Sequence, residues 1–237
     1  MSSGLAAKPE LAEGILHGSA DIHPPETLDD LIAARSASLV AYQDAAYAAL
    51  YRQRVGAVVM RETEVFGTAG ELSRAAAESW FRVMGYKDEY EVARLHTDQN
   101  YGRAALPEFY LGPPLITKVD PITGRRKKIA VPGWVALPLF RLLRHGKKLR
   151  GSAWDLFGRQ EDRQAERAMI GIFDTDMRAM LAKLSPATRD AALAVASWPD
   201  LVRGYGPVKL GNWKAVQDQR PALLAALDRT ALASAAE

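Results

Sequence analysis

From Thr27 onward apolar residues recur at three- and four-residue steps: Leu28, Leu31, Ile32, Leu39, Tyr42, Ala46, Ala49 and Leu50. That spacing lays them along one side of an α-helix. Thr27 suits the N-cap, and Asp29 and Asp30 stand in the first turn, where the helix dipole favours negative charge. The pattern predicts a helix from Thr27 to about Phe66, with a bend allowed, ended by Gly67-Thr68-Ala69-Gly70. A second amphipathic stretch starts near Glu71 and carries Leu72, Ala75, Ala76, Trp80, Val83 and Met84 inward. Gly85 is the expected kink, after which the helix continues from Tyr86 to Leu95. In that continuation Tyr86, Tyr90, Ala93 and Leu95 share a side, and Lys87–Glu91 and Tyr90–Arg94 are four apart, close enough to meet on a helix surface.

The middle of the chain breaks the helical period. Phe109-Tyr110-Leu111-Gly112-Pro113-Pro114-Leu115-Ile116 is aromatic and punctuated by proline, which removes backbone donors and resists helix. Asp120-Pro121-Ile122-Thr123-Gly124 is a turn signal. The expectation is a small β-hairpin with arms near Leu115–Val119 and Arg126–Val131, preceded by a strand near Phe109–Leu111. Helices resume after Pro132-Gly133, with Trp134, Leu137, Phe140 and Leu143 inward. The most regular stripe is Ala165, Met169, Ile172, Phe173, Met177, Met180, Leu181 and Leu184. Ser185-Pro186 then reads as an N-cap and first-turn proline opening a helix to about Trp198, which Pro199 stops. A last helix, made doubtful or bent by Pro221, runs from Val208 to about Leu227. The resulting fold class is mainly α: one helical domain over residues 27–228 with a β-hairpin around 109–131, a flexible lead over 1–26 and a flexible tail over 229–237.

Composition narrows the chemistry. Across 237 residues there is no cysteine, which excludes disulfides, thiolate metal sites, a cysteine nucleophile and cysteine-ligated iron–sulfur clusters within this chain. A reducing, cytoplasmic setting is the natural expectation. Lysine and arginine number 31 against 28 acidic residues, a net +3, so charge alone gives no argument for nucleic acid. No apolar run has the length of a membrane helix. The N-terminus lacks the basic start and apolar core of a secretory signal.

Candidate chemistry is sparse. His17, His23, His96 and His145 stand apart from ligand partners, so capping or surface roles are expected rather than metal binding. Gly204-Tyr205-Gly206 lacks the third glycine and the preceding strand of a dinucleotide fingerprint, and reads as a tight reversal between helices. Asp88, Glu89 and Glu91 could act as an acid/base cluster, since crowded carboxylates raise one another's pKa. Lys87, Arg94, Tyr86 and Tyr90 supply enough partners for a structural or docking network instead, and that reading is preferred; Arg203 and Lys209 are assigned to it as well. The basic run Arg125, Arg126, Lys127 and Lys128 lies at the expected hairpin tip. Arg141, Arg144, His145, Lys147, Lys148 and Arg150 form a second basic cluster. Either could be a solvated face, or could hold an acidic protein or nucleic acid.

The run Tyr86-Lys87-Asp88-Glu89-Tyr90-Glu91-Val92-Ala93-Arg94-Leu95 resembles part of the C-terminal region of bacterial indolepyruvate:ferredoxin oxidoreductases, of the 2-oxoacid:acceptor oxidoreductase family. So do Leu39–Ala48, Pro113-Pro114, Asp120–Gly124, Leu149-Arg150-Gly151-Ser152-Ala153-Trp154-Asp155-Leu156-Phe157-Gly158, Glu166-Arg167 and Arg203–Lys209, in the family's order from roughly Thr27 to Arg220. The resemblance implies an oxidoreductase that decarboxylates aryl pyruvates with thiamine diphosphate, forms an acyl-CoA and passes electrons through iron–sulfur clusters to ferredoxin. Those cofactors belong to regions that precede this one in the family. No thiamine signature and no cluster cysteine occurs here, and no catalytic residue is carried over.

The resemblance therefore implies a C-terminal structural or assembly module, or a detached subunit or fragment, not catalytic alone. Its partners would be thiamine- and cluster-bearing domains or subunits, with ferredoxin a candidate for the basic hairpin and no membrane involved. The alternative is a free-standing helical binding protein that uses the basic hairpin to hold an acidic protein or nucleic acid. A third reading, an independent enzyme built on the Tyr86–Arg94 cluster, has the least behind it.

Overall fold

Thr27 opens the first helix, its hydroxyl accepting from Asp30 N at 3.1 Å, in a computed structural model that describes residues 27–99, 107–111, 128–155, 157–204 and 206–235. The chain is mainly α, with a small two-stranded sheet near its middle. The long first helix divides in two. Helix α1 is Leu28–Tyr42 and α2 is Ala45–Phe66, because Asp44 leaves helical geometry and caps α2 by accepting from Tyr47 N at 2.8 Å. The break changes the phase of the stripe. Ala46, Ala49 and Leu50, expected inward on one continuous helix, face solvent, and Ala48, Tyr51, Val55 and Val58 are buried in their place.

Gly67 ends α2 at φ +83°, a conformation glycine adopts without strain. Helix α3, Glu71–Met84, follows. Its N-cap position is Gly70, which has no side chain to offer, and Glu62 of α2 does the capping across the turn. The Glu62 carboxylate accepts from Gly70 N at 2.9 Å, Leu72 N at 3.1 Å, Ser73 N at 2.8 Å and the Ser73 hydroxyl. Burial raises the pKa of Glu62, but these donors outweigh it and hold the group below the usual glutamate value.

Gly85 stops α3 rather than kinking it, and Asp88 caps a separate helix α4, Glu89–Asp98, by accepting from Glu91 N at 2.8 Å. Lys87 thus precedes the helix, and the expected Lys87–Glu91 pair does not form. Strand β1, Glu108–Leu111, pairs antiparallel with β2, Ile129–Pro132, with Phe109 opposite Val131. The early strand is therefore the direct partner of the second arm; the other expected arm, Leu115–Val119, and the Asp120–Gly124 turn lie outside the described residues, as do Met1–Glu26.

Helix α5, Gly133–Leu143, packs on α4 and runs into a 3-10 turn over Arg144–Leu149. Helix α6 is Glu161–Ala182 and α7 is Arg189–Ser197. Helix α7 begins three residues after Pro186, where Ser185 and Thr188 exchange side-chain-to-backbone hydrogen bonds. Helix α7 ends at Ser197, close to the expected stop at Trp198, and Pro199 lies in the 3-10 turn Trp198–Leu201 that follows. Helix α8 runs from Pro207 to Ala235 with Pro221 inside it, past the expected end at Leu227 and through most of the expected tail.

Two apolar clusters result. The larger draws on α1–α3 and α6–α8 and contains a run of rings: Trp80–Phe173 at 4.7 Å, Phe173–Trp198 at 5.3 Å and Trp198–Trp213 at 5.7 Å between centroids. The smaller consists of Ala93, Phe109, Ala136, Leu137 and Phe140 from α4, β1 and α5. His96 closes its edge, stacked on Phe140 at 5.6 Å and edge-on to Phe109 at 5.0 Å, with its pKa lowered by burial.

Candidate functional site

The turn between α3 and α4 is where the two clusters meet, and its polar residues are tied to segments far along the chain. Asp88 is buried, and Arg150 grips it with two hydrogen bonds, Nε–Oδ2 at 2.6 Å and Nη2–Oδ1 at 2.9 Å. Arg150 Nη1 also donates to the Tyr42 carbonyl at 3.0 Å and to Gln43 Oε1 at 2.6 Å, and the guanidinium lies 3.8 Å from the Tyr42 ring centroid. One cation therefore joins the carbonyl end of α1, which favours positive charge, to the Asp88 carboxylate that caps the N-terminus of α4. Lys147 adds a donor to the same end of α1, reaching Ala41 O at 2.8 Å. Burial beside this guanidinium and carboxylate raises the phenol pKa values of Tyr42 and Tyr47, and pushes Tyr86 up to about 12.

A second carboxylate gathers the loop after Arg150. Asp155 accepts from Gly151 N at 2.9 Å, Gly158 N at 3.0 Å, the Tyr90 hydroxyl at 3.2 Å and Arg167 Nη1 at 3.2 Å. Arg167 donates as well to the Gly158 carbonyl. A Cβ added at Gly158 would clash with Asp155 Oδ2 and lie 2.5 Å from Arg167 Nη1, so this pair would have to shift to admit one. Gly146 meets the same limit against Tyr90, whose Cε1 would stand 2.5 Å from an added Cβ.

A third chain of charges runs from α4 to α8. Glu89 accepts from Arg163 Nε at 3.3 Å, Arg163 Nη1 reaches Glu166 at 2.5 Å, and Lys209 Nζ meets the other oxygen of Glu166 at 2.6 Å. Glu91 is held by Arg94 at 2.7 Å, and Arg94 also holds Asp98, which Arg144 reaches from the other side. Asp88, Glu89 and Glu91 are each matched by a guanidinium, from Arg150, Arg163 and Arg94 respectively. Most of these cations come from elsewhere than predicted: Arg150 and Arg163 supply what Lys87 was expected to. The second basic cluster also changes meaning, because Arg144, Lys147 and Arg150 are spent on internal bonds.

Beside the Glu89–Lys209 chain lies a cavity of about 650 Å³. The α3–α4 turn, the first turns of α6 and the segment leading into α8 wall it, and Arg35 reaches it from α1. Arg35, Arg82, Lys87, Arg163, Arg203 and Lys209 line it, against the carboxylates Glu78, Asp162 and Glu166. Arg82 is paired with Asp200 at 2.7 Å. Arg35 lies over the Phe81 ring at 4.5 Å and its Nε is buried without a hydrogen-bond partner. Arg203 donates through Nε to Asp200 O at 2.8 Å and faces no carboxylate among the described residues. Lys87 has neither hydrogen bond nor ion pair among them. Gly204 and Gly206 both adopt positive φ, +98° and +55°, a conformation open to glycine.

The structure thus places Asp88, Glu89, Tyr90, Glu91, Arg94 and Lys209 in neighbouring but separate sets of bonds, and Lys87 and Arg203 on the cavity beside them. Of the basic run, Arg125, Arg126 and Lys127 lie outside the described residues, as do His17 and His23, while Lys128 and His145 are exposed. Arg150, Asp155 and Arg163 carry the site, and sequence reasoning missed them as network members; Leu149–Gly158 was singled out, but by resemblance alone. Among the described residues no group of three or more His, Asp or Glu could hold a metal ion, and no helix is long and apolar enough to cross a membrane.

The model of a family of unknown function, DUF6537, matches residues 28–222, and the chain belongs to that family. No curated protein and no solved structure matches it.

Proposed function

We propose that this DUF6537 member is a structural and assembly module of an indolepyruvate:ferredoxin-type 2-oxoacid oxidoreductase, acting in the cytoplasm and not catalytic alone. The observation that carries the reading is α5, which is apolar on both sides. Ala136, Leu137 and Phe140 pack against α4 and β1, while Trp134, Leu139 and Leu142 on the opposite side are 71%, 50% and 73% exposed. A helix with this pattern gains stability when a second surface covers it, and contiguous exposed apolar side chains mark interaction sites. The ion-pair system fits the same role. Its carboxylates are neutralised and hydrogen-bonded, an arrangement that rigidifies a platform rather than leaving an acid or base ready to react.

Thiamine diphosphate and iron–sulfur clusters would reside in the partner domains. With no cysteine, this chain offers no thiolate for a cluster. The test is co-purification of tagged chain with thiamine- and cluster-bearing proteins from its native cytoplasm, alongside Leu142→Asp. The wild type should retain such a partner and the variant, melting at an unchanged temperature, should lose it. Equal recovery by both, or recovery of neither cofactor-bearing partner, overturns the proposal.

A further inference from the structure

We infer that the cavity between the α3–α4 turn, α6 and the start of α8 binds a small molecule bearing two or more phosphate groups, held by Arg35, Lys87, Arg203 and Lys209 without a metal ion. The argument is separate from the assembly reading and survives its failure.

It begins with unspent cations. Several guanidiniums of this region are consumed: Arg150 by Asp88, Arg94 by Glu91 and Asp98, and, in the cavity lining itself, Arg82 by Asp200. Lys87, Arg35 and Arg203 differ, since none of them meets a carboxylate among the described residues, and all three line one cavity from three separate parts of the chain. Glu78, Asp162 and Glu166 line the same space, but six cationic side chains face these three carboxylates, and a bound polyanion relieves the excess of positive charge. Arg163 and Lys209 are fixed by Glu166 but not exhausted by it, because an ammonium carries three donors and a guanidinium five. They stand as pre-positioned donors.

Size and shape narrow the class. At about 650 Å³ the space is within the range of small-molecule sites and larger than a single phosphate needs. Two arginine forks and two ammonium groups spread around it suit oxygens distributed over neighbouring phosphates better than one carboxylate. Gly204 and Gly206, both at positive φ, also line the cavity and present backbone without a Cβ of their own. Sites that hold a diphosphate through a divalent cation require carboxylate ligands around the metal. Among the described residues the cavity's three carboxylates do not form a group that could hold a metal ion, so the cationic side chains would take its place.

Calorimetric titration with sodium pyrophosphate in EDTA, then with inorganic phosphate, ADP and citrate, tests this. One saturable site for pyrophosphate and ADP is expected, with phosphate weaker by about tenfold or more, the effect of losing one or two charge-assisted hydrogen bonds. Lys87→Ala and Arg203→Ala should each weaken pyrophosphate about tenfold, with Arg189→Ala as an off-cavity control that leaves it unchanged. Both side chains stand outside every ion pair described, and Lys87→Met keeps the stem should Lys87→Ala alter the melting temperature. The inference is overturned by absence of saturable binding, by binding that appears only with magnesium, by citrate binding as tightly as pyrophosphate, or by equal losses in Arg189→Ala.

Discussion

The region of α1–α3 with α6–α8 and the region of α4, the hairpin and α5 are held together by different forces. In the first, side chains from six helices interlock around Trp80, Phe173 and Trp198, all essentially inaccessible to water. Asp176 accepts there from Trp198 Nε1 at 3.1 Å and from Arg220 Nε at 2.5 Å, while the Trp80 Nε1 donor is buried without a partner. In the second, Phe109, Leu137 and Phe140 with two alanines make a small apolar centre. Polar contacts tie that centre to the rest: Arg150, anchored on Asp88, reaches Tyr42 O and Gln43 at the end of α1, Lys147 reaches Ala41 O, and Glu89 pairs with Arg163 of α6. The contrast teaches that the small region is docked rather than cored, and that its docking bonds are the ones a charge substitution reaches.

Arg150→Ala attacks this difference most directly. Removing one partner of a buried ion pair strands the other, at a cost of about 3–5 kcal/mol. In chemical denaturation, a double-mutant cycle with Asp88→Ala should show coupling of about 1–3 kcal/mol. Additive losses would mean that the seam is not the attachment. A comparison of Trp80→Ala with Phe140→Ala comes next, each costing about 3–5 kcal/mol locally. Hydrogen exchange should report global opening for the first, and opening confined to α4, β1 and α5 for the second. Uniform opening in both would merge the regions.

The smallest effect should be at Glu62. Glu62→Gln keeps the shape but removes the charge that serves Gly70, Leu72 and Ser73, costing about 1–2 kcal/mol, within the range for a lost cap. Because the folded pKa of Glu62 lies below its unfolded value, its stabilisation is present above the unfolded pKa and is lost as pH falls through the folded one. The gap between wild type and variant in thermal melts should therefore close below about pH 4. A gap that persists at lower pH would mean the carboxylate acts by shape alone.

The fold was legible where period and burial agree. The inward stripes of α3 and α6 follow from spacing because those helices are long, uninterrupted and packed on one side. The breaks at Asp44 and Asp88 were not read, although both are caps; Asp88 with Glu91 three residues on has the spacing of a capping box, which marks a helix start. Trp134 was placed inward because a stripe cannot reveal that a helix is apolar on two sides. At the site, the carboxylates were legible and their partners were not. A periodicity of three or four pairs Lys87 with Glu91, whereas Arg150 and Arg163 reach Asp88 and Glu89 from 62 and 74 residues away, a distance that local pattern does not cover.

That distance sets an order of assembly. Synthesis delivers α1, α2 and α3 with their mutual contacts well before Arg150 leaves the ribosome, and Asp155, the partner of Tyr90, comes 65 positions after it. Long-range closures form late because the intervening chain must first give up its freedom. The Asp88–Arg150 seam is therefore a closing step: until it is made, the nascent protein carries a finished α1–α3 unit and an undocked α4, with a buried-to-be carboxylate still in water.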